Sequence, residues 1–306
     1  MKRVLKLIGI VLGVLLGMVL LLVAGLYTKA RLEFSQKYEP KVESISIPSD
    51  AASLERGRHL ATILCMECHQ DDLGGGKKLF DLGPIGNIDI PNITSGSGGL
   101  GAEFSDEDFV RVLRHGVKPN GASVFIMPAQ DFAKLTDTDL GDLLAAVRAA
   151  PPVDRAVPEP HAHLSLMGNV MYGAGLFGDL LRAGKLARAP QPPAPAASGI
   201  TPEYGRYLVD INGCRDCHGQ ELAGAKPGDP NSPLAPNLTP GGVLKLFSQE
   251  DFINTLRTGV TPSGTQLPNE FMPWKYKGKM TDDELKAIFA YLQSLPALPT
   301  GYAPAE

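Results

Sequence analysis

The hydrophobic pattern of the first thirty residues leaves no polar face. Residues 7–28, from Leu7 to Thr28, contain no charged side chain. At 1.5 Å per residue they form a helix about 33 Å long, enough to cross a hydrocarbon core. Lys2, Arg3 and Lys6 precede the run, and Lys29 and Arg31 follow it. The predicted element is a single membrane span with its N-terminus in the cytoplasm. Its length, and the poor cleavage site at Thr28-Lys29-Ala30, argue against a removable leader. Residues 1–30 therefore read as tail and anchor, and residues 31–50 as a polar stalk.

Beyond the stalk the period becomes that of short amphipathic helices. Leu54, Leu60 and Ile63 make one apolar stripe. Ser105 with Asp108 resembles a capping box for a helix whose apolar face is Phe109, Val112 and Leu113, with Gly116 as its stop. Thr136 caps a last helix carrying Leu140, Leu143, Leu144 and Val147, ended by Pro151-Pro152. The fold class is mostly α.

This pattern occurs twice. Gly57-Arg58-His59-Leu60 recurs as Gly205-Arg206-Tyr207-Leu208, and Pro91-Asn92-Ile93-Thr94 as Pro236-Asn237-Leu238-Thr239. Residues 104–117 match residues 247–260 at nine of fourteen positions without a gap. Met127-Pro128 recurs as Met272-Pro273, each methionine nine residues before the cap of the last helix, Thr136 or Thr281. An internal duplication of this kind predicts two tandem all-α domains, residues 51–153 and 199–300. Between them, residues 154–198 form a connector with Pro-rich ends, including Gln191-Pro192-Pro193-Ala194-Pro195. Its apolar, Gly-rich middle, residues 164–181, reads as a segment packed against the two domains; the rival reading is a patch that dips into the membrane surface or docks a partner.

Composition changes this picture little. Of 306 residues, 43% are hydrophobic and 20% charged, which is ordinary for a globular chain. A formal net charge of −4 argues against nucleic acid as a partner. The 34 glycines and 26 prolines suit loop-rich domains wrapped around a cofactor.

The cysteines name that cofactor. All four lie in two short stretches, Cys65-Met66-Glu67-Cys68-His69 and Cys214-Arg215-Asp216-Cys217-His218. Cys-x-x-Cys-His is the attachment signature of a c-type haem. Two thiols three residues apart share one helical turn and can reach the vinyl groups on one porphyrin edge. The next histidine, His69 or His218, then serves as proximal iron ligand. The competing reading of two cysteine pairs is a redox dithiol or one four-cysteine zinc site. The expected cofactors are two covalently bound haem c groups.

Each repeat resembles a class I cytochrome c domain: a Cys-x-x-Cys-His near the end of the first helix, a later Met-Pro, and a closing helix. The pair is similar to membrane-anchored dihaem cytochromes c, and more loosely to cytochrome c subunits of membrane-bound alcohol and gluconate dehydrogenases. Those subunits usually carry three haem motifs; this chain has two. For the sixth ligands, Met127 and Met272 are the methionines that recur in register outside the first helix and the haem motifs; histidine ligation of one haem by His59, His115, His161 or His163 is the alternative. The resemblance implies that a proline carbonyl receives the second nitrogen of each proximal imidazole, with Pro91 and Pro236 the best matches and Pro84 a competitor. It also implies that Gly57 and Gly205 allow close helix crossing. Arg114 and Arg257 recur in register and are candidate partners of haem propionates, or solvent-facing arginines.

His/Met ligation leaves no open iron site and favours the reduced state, so the expected function is electron transfer. The expected partners are a dehydrogenase or quinol-oxidising donor and an oxidase or soluble cytochrome acceptor. Haem attachment follows export, so the haem domains are expected to face the periplasm from the cytoplasmic membrane. The alternative is a dihaem redox enzyme, peroxidase-like or thiosulfate-oxidising, with one labile sixth ligand.

Overall fold

The N-terminal apolar run is the middle of a single helix, α1, Lys2–Ser35. The computed structural model describes residues 2–76, 78–81, 83–158, 162–178, 180–186, 198–227 and 232–303. His161, Asp179 and the Gln191-Pro192-Pro193-Ala194-Pro195 run lie outside the described residues. The apolar side chains of α1, Leu15, Leu16 and Leu21 among them, are exposed, and Ala30 alone is buried. Such a surface is satisfied by lipid and not by water. Among the described residues it is the one helix long and apolar enough to cross a membrane.

Residues 36–50 are not a free stalk. They lie as a strap across the first repeat. Tyr38 donates its N–H to Gly121 O at 2.9 Å, Lys37 Nζ to Asn120 O at 2.9 Å, and Glu43 meets His115 Nε2 at 2.9 Å. The reason is in the stretch itself. Val42, Ile45 and Ile47 pack against the core, and burying them outweighs the freedom of a loose tether.

The first set of elements begins with α2, Ala51–Leu64, capped by Asp50, whose carboxylate accepts the Ser53 N–H at 3.0 Å. The haem motif follows as the short turn α3, Met66–His69. Strands β1, Lys78–Asp81, and β2, Gly86–Asp89, pair antiparallel. After α4, Leu100–Glu103, comes α5, Asp106–His115, with its capping box formed and Gly116 left-handed at φ +64°. Then follow α6, Ala129–Phe132, and α7, Asp137–Arg148, capped by Thr136.

The connector supplies β3, Ala162–Leu164, which adds to β2 to make a three-stranded antiparallel sheet in the order β1-β2-β3. No sheet was expected. It forms where the first repeat has a longer loop: 22 residues separate His69 from Pro91, against 18 between His218 and Pro236. Next come α8, Leu166–Gly173, and α9, Ala183–Leu186. α8 packs on α1 and on the turn at residues 83–85, so this part of the connector joins the N-terminal helix to the first repeat.

The second set repeats the first: α10, Pro202–Ile211; the haem-motif turn α11, Cys214–His218; α12, Gln249–Thr258, with a capping box and Gly259 at φ +72°; α13, Trp274–Lys277; and α14, Asp282–Ser294, with a capping box at Thr281 and Glu284. In each set the first long helix crosses the last, α2 on α7 and α10 on α14. Glycine is required at both crossings. A Cβ on Gly57 would overlap the carbonyl of Asp142, and one on Gly205 the carbonyl of Ala287.

One apolar cluster runs through both repeats, from Leu60, Leu140 and Leu144 to Leu208, Leu285 and Leu292. A polar knot sits at the centre of the contact. Arg56 binds Asp139 at 3.0 Å and Glu284 at 2.8 Å, and Glu284 also meets His59 Nε2 at 2.7 Å. Tyr207, which matches His59 in the other repeat, donates its hydroxyl to Asp139 at 2.5 Å. The two repeats thus exchange equivalent contacts about an approximate two-fold axis.

Candidate functional site

Each haem motif ends a long helix and turns sharply. Cys65 closes α2 and is buried; that burial pushes its thiol up to about 12. Burial likewise pushes Cys214 up to about 11 and raises Cys217. These groups are therefore held as neutral thiols, and all four are free of disulfides. Among the described residues no three His, Cys, Asp or Glu side chains converge on a metal-holding cluster.

The proximal histidines have the same geometry. His69 Nδ1 lies 2.9 Å from Pro91 O, and His218 Nδ1 2.8 Å from Pro236 O. An imidazole that donates from Nδ1 to a carbonyl is fixed in tautomer and orientation and presents Nε2 to a metal. His218 is buried, and that burial lowers its pKa against the opposing pull of Pro236, which favours the neutral ligand form. The turn behind each histidine is costly for its residues. Leu73 and Leu222 occupy equivalent positions and both are left-handed, at φ 57° and 56°, a conformation that costs about 1–2 kcal/mol for an L-residue. Gly75 and Gly224 follow, donating N–H to His69 O at 3.0 Å and to His218 O at 2.9 Å. A Cβ on Gly75 would collide with the Pro91 backbone.

The residue after each proline is itself held. Asn92 Oδ1 accepts from Thr94 N at 2.9 Å and from Thr94 Oγ1 at 2.8 Å, while Asn92 Nδ2 donates to Val153 O at 2.7 Å. Asn237, Thr239 and Leu298 O reproduce this arrangement, all three distances being 2.8 Å. Both asparagines and both threonines are buried. Sequence reasoning found the recurring Pro-Asn-x-Thr but gave its asparagine and threonine no role. Their recurrence in register was the available signal.

Met127 and Met272 also sit in matching turns. Pro128 and Pro273 share φ/ψ near −77°/56°, with Ala129 N bonded to Met127 O at 2.8 Å and Trp274 N to Met272 O at 2.7 Å. Both methionines, like Cys214, pack against the apolar cluster that includes Cys65. The rival histidines are engaged elsewhere, His59 with Glu284 and His115 with Glu43, while His163 is exposed on β3. Met167 and Met171 lie on α8. Pro84 accepts from Ser165 Oγ at 2.6 Å.

The two recurring arginines make matching contacts. Arg114 is buried; its Nη1 binds Ala133 O at 2.9 Å and also Leu135 O, and its Nη2 binds Asp137 at 2.6 Å. Arg257 Nη1 binds Gly278 O and its Nη2 binds Asp282 at 2.7 Å. Both terminal nitrogens are committed to the turn after the methionine and to the first residue of the last helix. Each arginine therefore ties the stretch after the methionine to the start of the last helix.

The repeats meet around their haem motifs. Gln130 Nε2 binds Asp216 at 2.8 Å, and Lys277 Nζ binds Ile63 O at 2.8 Å and Asn212 Oδ1 at 3.2 Å. Burial first, and then the neighbouring Asp216 carboxylate, push Asp131 up to about 7 in this contact. The donor set of each repeat suits a covalent porphyrin: two thiols one turn apart, an oriented imidazole, a thioether and apolar walls.

Comparison with known proteins agrees. The cytochrome c family model matches residues 202–296. The chain is 30% identical to the fructose dehydrogenase cytochrome subunit of Gluconobacter japonicus, over 90% of this chain and 58% of that protein. It is 28% identical to the cytochrome c subunit of the alcohol dehydrogenase (quinone) of Gluconobacter oxydans, over 83% of this chain and 57% of that protein. It is 29% identical to a diheme cytochrome c-type protein of Cereibacter sphaeroides, over 76% of this chain and 82% of that protein. The chain thus spans a little under three fifths of the first two relatives. Residues 202–296 thus match the cytochrome c family, and the chain as a whole is similar to dehydrogenase cytochrome c subunits and to a diheme cytochrome c-type protein.

Proposed function

We propose that this chain is a dihaem electron carrier anchored in the cytoplasmic membrane, with both repeats on the periplasmic side. One haem c is bonded to Cys65 and Cys68, the other to Cys214 and Cys217. His69 and Met127 ligate one iron, His218 and Met272 the other. The observation that supports this reading most strongly is the repetition of the site. Histidine, proline carbonyl, asparagine clamp and methionine turn occur twice with the same contacts, although the family model matches only the second copy.

Bound haem c supplies a one-electron couple. The protein's part is to set its potential and its exposure. Pro91 and Pro236 orient the imidazoles, and Asn92 and Asn237 hold those carbonyls in place. Arg114 and Arg257 stiffen the turns that present the methionine sulfurs. The soft thioether favours ferrous iron and raises the potential. A site with both axial positions taken has no place for a substrate.

The names of the relatives support a dehydrogenase acting on a sugar or an alcohol as electron donor; the acceptor in this proposal is an oxidase or soluble cytochrome. Two measurements on the full, haem-loaded chain in detergent test the reading. Haem content is expected at two per chain, and carbon monoxide is expected to leave the fully reduced spectrum unchanged. One haem per chain overturns the dihaem assignment. Carbon monoxide binding at either haem overturns the carrier assignment in favour of an enzyme with an open iron site.

A further inference from the structure

The connector contains a surface that electron transfer does not use. From Leu164 to Gly178 no residue is charged. The inner face of α8 is spent on contacts. Gly168, Asn169, Tyr172 and Gly173 are buried. A Cβ on Gly173 would overlap the Leu26 carbonyl of α1, and one on Gly168 the Ile85 carbonyl of the first repeat. The Tyr172 ring stacks at 4.6 Å on Phe34 of α1, which lies 5.8 Å from Phe125. The outer face is apolar and bare: Leu166 is 65%, Met167 48% and Leu176 62% exposed.

The level of this face along α1 says what meets it. Leu26 belongs to the last turn of the uncharged run, and Lys29 is the first charge after it. Lys29 Nζ donates to Gly173 O at 3.1 Å, at the C-terminal end of α8, where a cation is favoured. A backbone in contact with Leu26 and capped by Lys29 lies where the hydrocarbon gives way to headgroups.

We propose that residues 166–178 form a membrane foot: α8 and the turn after it lie in the outer lipid interface, with Leu166, Met167 and Leu176 among the acyl chains. The occupant of the bare face is the bilayer, because the face is continuous with the end of the spanning helix. The foot bears on the first haem site. Beyond it, Leu180 O accepts the Ile126 N–H at 3.0 Å and Leu181 bridges to Phe125, so the segment just before Met127 is pinned to a chain lying on the membrane. This proposal rests on the reading of α1 as a membrane anchor.

The test places a single environment-sensitive fluorophore on the full, haem-loaded chain in phosphatidylcholine–phosphatidylglycerol vesicles. The sites are Leu166→Cys and Leu176→Cys, with Leu16→Cys in α1 and Leu246→Cys on the second repeat as references. All four side chains are exposed, and the haem spectrum checks that each variant folds. Spin-labelled lipid is expected to quench positions 16, 166 and 176 at least about twofold, and aqueous iodide to quench position 246 alone. If position 16 is quenched by lipid but 166 and 176 by iodide, the face is in water and the foot is overturned. If 166 and 176 escape both quenchers, a second copy or another protein covers them, and the foot is again overturned. If position 16 escapes the lipid quencher, the anchor reading fails first and the foot falls with it.

Discussion

The carboxylate of Glu284, at the third position of α14, lies 2.7 Å from Nε2 of His59, on the first helix of the other repeat. The two residues are 225 positions apart. Glu284 also caps its own helix through the Thr281 N–H at 2.9 Å and binds Arg56 at 2.8 Å. One buried side chain therefore starts a helix and joins two domains.

Burial opposes the charge on Glu284, but the His59 hydrogen bond, the His59 charge and the Thr281 N–H together bring its carboxyl down to about 2. A carboxyl with a lowered folded pKa stabilises the fold fully above its unfolded value, near 4.5, and loses that contribution as pH falls towards 2. Replacing Glu284 by Gln is expected to cost about 3 kcal/mol at pH 7, the scale for breaking a buried ion pair, and to flatten the acid limb of stability. Denaturant titrations of the haem-loaded chain at pH 7 and pH 3.5 check both. An unchanged midpoint at pH 7 would mean that the knot contributes nothing.

Asn237→Ala removes the clamp on the Pro236 carbonyl without touching a haem ligand. The expected result is a looser His218 and an affinity of the second haem iron for carbon monoxide raised about tenfold, the lower end of what outer-shell losses do to a metal site. Asn92→Ala is expected to act on the first haem alone. Optical titration resolves the two if each haem responds only to its own asparagine.

Met272→Ala is expected to lower the potential of the second haem and open it to carbon monoxide, leaving the first haem unchanged; Met127→Ala should do the reverse. Redox titration with optical detection reads both. If neither variant moves a potential, some other side chain is the sixth ligand.

Gly205→Ala pushes a methyl group into the Ala287 carbonyl at the α10–α14 crossing. Overpacking of this kind costs about 1–3 kcal/mol. The thermal midpoint of the holoprotein is expected to fall, with haem content retained. Gly57→Ala at the α2–α7 crossing should behave alike, and a variant as stable as the parent would show that the helices can separate without loss.

Local signals carried much of this structure. Ser105, Thr136 and Gly116 marked helix ends from side-chain chemistry confined to one turn, and those ends stand where expected. The paired Cys-x-x-Cys-His and Met-Pro stretches were visible because duplication repeats them in register. The sheet was not legible, since β1, β2 and β3 draw on a loop only four residues longer than its counterpart and on a connector read as a segment packed against the two domains. The Arg56–Asp139–Glu284 knot was hidden for another reason. It depends on how two copies dock, and two similar helical units can dock in many ways with the same internal pattern. The bonds from Arg114 to the carbonyl of Ala133 and to Asp137 were not legible, since they depend on how the segment after Met127 folds back on α5.

The strap at residues 36–50 sets how far the carrier can reach. Fifteen loose residues would give a root-mean-square span of about 20 Å, enough for the head to swing between neighbours on a fixed anchor. With Tyr38 bonded to Gly121, Glu43 to His115 and three apolar side chains tucked into the core, that swing is gone. With α1 in a bilayer, as proposed, the protein would travel as one body in its plane. Its turnover with any partner is then governed by two-dimensional diffusion and by how the partner stands on the same surface, so a donor whose exit site lies higher above the lipid must lean to it or remain out of range.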